Sequence, residues 1–108
     1  MIVFDEGSYP TEEALRTIRE WPPERTYGRL LDAIGQCWRW PAYFRKSPRR
    51  RHVNGVSRRR WRVSTGGWSG HEDVIGALMD NRLFWAICWV SSERGGHYVF
   101  ETREEEAP

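Results

Sequence analysis

Lysine is almost missing from this chain: sixteen of its seventeen basic residues are arginine, and Lys46 is the exception. Cysteine is scarce too. Cys37 and Cys88 each sit among apolar residues, and two scattered cysteines do not frame a disulfide scaffold, so a reducing cytoplasm is the expected setting. Long hydrophobic runs are absent as well, since the longest, Leu83 to Val90, falls far short of the ~20 residues that span a bilayer. The first ten residues carry Asp5 and Glu6 and no basic, cleavable apolar run, which argues against a signal peptide and against a membrane partner. His-Glu-x-x-His and Cys-x-x-Cys spacings are lacking, so neither a metal nor a cofactor is expected.

What is present is aromatic and segregated in charge. Seven tryptophans and 14% aromatic residues imply real packing despite a mean hydropathy of -0.75, and 108 residues suffice for one domain with a modest core. Residues 1–24 hold six acids against two arginines, residues 25–62 hold twelve basic residues against Asp32 alone, and residues 63–108 hold three arginines against eight acids. The middle third is therefore a cationic block. Arginine presents a planar fork to phosphate and stacks on rings, which lysine does poorly; a GC-rich genome would favour arginine codons equally well.

In chain order, Thr11 with Glu12 and Glu13 predicts a helix start, Leu15, Ile18 and Trp21 share a face, and Pro22-Pro23 ends the segment. A second helix is predicted from Tyr27 to Trp38, stopped by Pro41, so that residues 9–40 form a helical hairpin. Residues 43–60 are a basic arm. Within it Asn54-Gly55 is a strong hairpin signal that sets Val53 opposite Val56, His52 opposite Ser57, and Arg51, Arg50 and Arg49 opposite Arg58, Arg59 and Arg60. Like charges face to face disfavour a ribbon, so the arm is expected to gain order on a polyanion or to stay a solvated loop. Trp61, Val63 and Thr65 then alternate with Arg60, Arg62 and Ser64, predicting a strand with an apolar and a basic face.

The glycine turn that follows is the centre of the functional reading. Gly66, Gly67 and Gly70 flank Trp68 and Ser69, and Ser69 with Glu72 fits a capping box at the start of a helix running from Gly70 to Asn81. Free amides and the helix dipole at such a start suit a phosphate. Phe84 to Val90 is predicted as a central strand apolar on both faces, Ser91 to Gly96 as a hairpin loop, His97 to Thr102 as the returning strand, and residues 103–108 as a fraying acidic tail. The expected fold class is α+β: a helical hairpin on a small, mostly antiparallel three-stranded sheet built as a β-α-β-β unit over residues 61–102.

The stretches Ser64-Thr-Gly-Gly-Trp-Ser-Gly-His-Glu72, Phe84-Trp-Ala-Ile-Cys-Trp89 and Arg94-Gly-Gly-His-Tyr-Val-Phe-Glu101 resemble a group of small, uncharacterised proteins of actinobacterial phages and prophages, in which Asn usually stands where this chain has His71. The resemblance implies a phage or prophage origin and no particular activity. Small phage proteins of this kind commonly act on host or rival systems, so a signalling nucleotide of host defence, or a host protein, enters as a partner on that ground alone.

Three readings remain on the residues themselves. A binder of a phosphate-bearing ligand would place a nucleotide against Arg60, Trp61, Arg62, Gly66, Gly67, Trp68, Ser69, Gly70, His71, Arg94 and His97, or a nucleic acid along Arg49, Arg50, Arg51, Arg58, Arg59 and Arg60. A protein-interaction module would use the arginine arm and Trp68 as anchors. A hydrolase would recruit His71, Glu72, Cys88, His97 and Glu101, although the apolar neighbours of Cys88 speak against a nucleophile. The sequence leaves homo-oligomerisation open.

Overall fold

The computed structural model describes residues 2–104; of the tail expected to fray over 103–108, Arg103 ends the last strand and Glu104 is bonded to Arg59, while 105–108 lie outside the described residues. Among the described residues four α-helices and a five-stranded antiparallel sheet share one core, an α+β fold. Helix α1 spans Glu12–Glu20 and α2 spans Tyr27–Cys37, each followed by a short 3-10 turn. The Thr11 hydroxyl accepts from the Ala14 amide at 3.1 Å and so caps α1. The two helices do not form the predicted hairpin, because α1 takes a later helix, α3 (Ser69–Asp80), as its main neighbour and α2 packs on the sheet. Pro22 and Pro23 cannot prolong α1, and Thr26 takes a φ of 63°, turning the chain away before α2 begins.

The basic arm is ordered. Strands β1 (Phe44–Lys46) and β2 (Arg51–Val53) both pair with the long β3 (Val56–Ser64), as two pieces of one interrupted partner. Asn54 and Gly55 carry φ of 52° and 79°, the conformation of a two-residue turn matched to strand twist, and the register is Val53 with Val56, His52 with Ser57 and Arg51 with Arg58. Arg49 and Arg50 do not continue the ladder. Pro48 has no amide to donate, and the chain bulges over Ser47 to Arg50 before pairing resumes with Lys46 opposite Trp61.

After β3, helix α3 runs Ser69–Asp80. Its start corrects the expected capping box: Trp68 is the cap residue, no side chain caps the helix, and Ser69 already lies inside it. The larger correction is α4, Arg82–Cys88, where a central strand was expected. Asn81 decides it. Its Oδ1 accepts from the Phe84 amide at 3.2 Å, while its Nδ2 donates to the Ile18 and Trp21 carbonyls at 3.0 and 3.1 Å, capping the start of α4 and tying it to the end of α1. The apolar run then divides by helical spacing, Phe84 and Cys88 entering the core and Leu83 and Ile87 facing out. Strand β4 is only Trp89–Glu93 and lies at the sheet edge, paired with β5 (His97–Arg103), so the expected three-stranded sheet has five strands in the order β1-β3-β5-β4 with β2 also on β3.

Trp61, Val63 and Phe100 from the sheet join Ile18, Leu30, Leu31, Ile34, Leu78 and Phe84 in one buried cluster. Alternation along β3 and β5 then leaves Arg58, Arg60, Arg62, Val99, Glu101 and Arg103 on the opposite face of the sheet.

Candidate functional site

The outer face of the sheet is where the arginines converge. In register, Arg45 of β1 lies opposite Arg62, Arg51 of β2 opposite Arg58, and on the other flank Arg58 is opposite Arg103 and Arg60 opposite Glu101. Glu101 answers three of these groups: it accepts from Arg51 at 3.3 Å and Arg60 at 3.2 Å, with Arg58 at 4.0 Å. Glu104 holds a second set on the helix side of the sheet, the side to which Arg59, opposite the buried Thr102, alternates. Both its oxygens take the Arg59 guanidinium at 2.8 and 2.9 Å, Arg50 lies 3.5 Å away, and its backbone amide donates to the Ser57 carbonyl. Arg59 beside it holds the Glu104 carboxyl below its ordinary value.

The predicted arm is therefore organised from within the chain, by carboxylates on the strand that returns beside it. Five guanidiniums share two carboxylates, so the cluster stays cationic. Arg45, Arg49, Arg62 and Arg103 add to it, with no carboxylate within ion-pair distance among the described residues. Arg94 sits in the exposed β4–β5 loop, and His97 is exposed at the far end of the face, its Nδ1 2.7 Å from the Ser64 hydroxyl. His97, with Arg62 and Val99, edges a depression of about 330 Å³.

The glycine turn is closed rather than open. Gly66 and Gly67 take φ of 63° and 74°, and a side chain on Gly66 would strike the rings of Trp40 and Tyr43 at 2.7 and 2.9 Å. Gly70 lies beneath the Trp68 indole and the Tyr9 ring. The Gly67 and Trp68 amides are taken by the hydroxyl and carbonyl of Thr65. The glycines thus serve positive φ and close aromatic packing.

Two residues expected at a ligand lie in the core. Trp61 is 2% exposed and its indole donates to the Thr102 hydroxyl at 2.9 Å. His71 is fully buried, its Nδ1 against the Thr65 carbonyl and its Nε2 accepting from the Arg39 amide, both at 3.0 Å. One ring nitrogen must donate and the other accept, so the imidazole is neutral, and burial holds its pKa below the ordinary value. Burial likewise pushes the Cys88 thiol up to about 12, which leaves it protonated at neutral pH and a poor nucleophile. His71 and Glu101 are committed to internal partners, and Cys88 is sealed in the core. Among the described residues no three His, Cys, Asp or Glu side chains stand together as a metal set, and no helix is long and apolar enough to cross a membrane.

Sequence reasoning named Trp68 but missed its aromatic neighbours beside the turn. Trp40, Tyr43 and Trp68 are half-buried or exposed, Tyr9 stacks near Trp68 with centroids 4.7 Å apart, and the Arg39 guanidinium lies 4.2 Å over the Trp68 ring. The signal was present in Trp38-Arg-Trp-Pro-Ala-Tyr43, where two aromatics follow the end of α2 with no helical period to bury them. Arg45 and Arg103 were also missed, because their neighbours across the sheet depend on a register that only the folded chain reveals.

No protein-family model matches the chain, and no curated protein and no solved structure matches it. The functional reading therefore rests on the geometry of this face.

Proposed function

We propose that the protein is a non-enzymatic binder of nucleic acid, which it engages through the outer face of its sheet. The observation that carries this reading is the Arg45–Arg62 pair: two exposed like charges directly opposite one another, with no carboxylate against either among the described residues. Such a pair costs the fold stability, and a line of phosphates supplies the charge that relieves it. Arg58, Arg60, Arg51 and Arg103 extend the row along the face opposite the buried core. Guanidinium contacts to phosphate position a polyanion without reading its sequence, so affinity without strong sequence preference is expected.

The test is fluorescence anisotropy of a labelled oligonucleotide titrated with protein between about 50 and 200 mM salt, where a polyanion complex weakens steeply. A single nucleotide held in a pocket would respond far less.

A second reading, docking on a partner protein, is supported by the half-exposed cluster of Tyr9, Trp40, Tyr43 and Trp68 under Arg39, since Trp, Tyr and Arg are the residue types that anchor interfaces. Internal pairing of Arg50, Arg51, Arg58, Arg59 and Arg60 also favours it. Salt-insensitive capture of a protein partner, with no oligonucleotide bound, would select this reading.

A further inference from the structure

Beyond the end of the arginine row, where β1 begins and β3 ends, Trp40, Pro41, Ala42, Tyr43 and Gly66 line an apolar cleft of about 410 Å³. Its two rings stand 5.6 Å apart at 59°, in tilted contact, so the cleft opens along their outer faces and not between them. Tyr43 is 45% exposed and offers a ring face to solvent. Gly66 backs the pair, and both rings pack so close to it that a side chain there would strike them. The chain leads from Tyr43 through the inward-facing Phe44 to Arg45, whose partner in register is Arg62, so the cleft lies two residues along the chain from the unanswered guanidiniums. The lining itself carries no charged group.

An apolar slot with aromatic walls, set one step past paired cations, complements a planar ring joined to a phosphate. We infer that the Trp40–Tyr43 cleft receives an unstacked base, so that the preferred partner is a single strand whose backbone follows Arg45 and Arg62. This rests on the nucleic-acid reading above and narrows it. In a duplex the bases are stacked on one another and cannot lie on the Tyr43 ring, whereas a single strand offers a free π-face. The Gly66 turn then has a use apart from holding an anion: it lets the two rings close over the backbone and present their outer faces.

Three fluorescein-labelled probes of equal phosphate count test this: a single-stranded oligothymidylate, a duplex, and a single strand of abasic residues. The oligothymidylate is expected to bind about tenfold more tightly than the abasic strand, and Tyr43→Ala to abolish that difference, as loss of one base stack does. Tyr43→Phe keeps the ring and is expected to keep the affinity, and Tyr43→Ala should leave duplex and abasic binding unchanged. Equal affinity for oligothymidylate and abasic strand, or an equal effect of Tyr43→Ala on all three probes, overturns the base site while the nucleic-acid reading stands. If none of the probes binds, both fall. Tyr43 is exposed, and an unchanged melting temperature of the variants confirms that the fold is intact.

Discussion

The imidazole of His71 lies flat on the indole of Trp38, ring centroids 3.8 Å apart and planes inclined by 7°. This pair ties the start of α3 to the end of α2 and, through the Arg39 amide, fixes the segment that presents Trp40.

Stability should therefore depend on pH in a defined direction. His71 is neutral in the fold and its pKa is lowered by burial first, with Arg39 adding to the effect and the Thr65 carbonyl opposing it. Below the ordinary value of 6.5 the unfolded chain takes up a proton that the folded chain refuses, so stability falls as pH drops through 6.5 and is flat above it. Urea midpoints measured across this window should decline toward acid in the native protein, and His71→Gln should flatten that decline. A native midpoint that rises toward acid would contradict the neutral, buried imidazole.

Asn81→Ala removes three hydrogen bonds at the junction of α1, α3 and α4 and leaves the Ile18 and Trp21 carbonyls without the amide that serves them. A loss of about 2–4 kcal/mol in chemical denaturation is expected, in the range of a broken buried network. A loss under about 1 kcal/mol, ordinary for a surface change, would show that Asn81 does not organise the junction.

The same residue explains what was and was not legible in the sequence. Thr11, the Pro22-Pro23 stop, the Asn54-Gly55 turn and the Trp61/Val63 alternation each act within a few residues, and each places its element from local chemistry. Leu83 to Val90 is apolar at every position and so displays no period. Such a run fits a buried strand or a short helix equally, and Asn81 ahead of it was the local arbiter. The outward row of Arg58, Arg60 and Arg62 could be read from alternation alone. Its carboxylate partners could not, because Glu101 and Glu104 are distant in sequence and meet the arginines only through the β3–β5 register.

Those carboxylates give a prediction with opposite signs for structure and binding. Glu101→Gln withdraws the charge shared by Arg51, Arg58 and Arg60, which should lower the melting temperature and at the same time raise oligonucleotide affinity and steepen its salt dependence. A variant that loses stability and affinity together would mean that Glu101 serves only to order the face.

If Arg45 and Arg62 face each other to meet phosphate, the salt slope of oligonucleotide binding must change in the Arg45→Ser, Arg62→Ser double variant. For every phosphate that the variant no longer neutralises, the log–log slope should shrink by about 0.7 for a single strand or about 0.9 for a duplex, while relief of the like-charge pair leaves the fold as stable as before or more so. An unchanged slope, with affinity intact, would mean that the pair meets no phosphate.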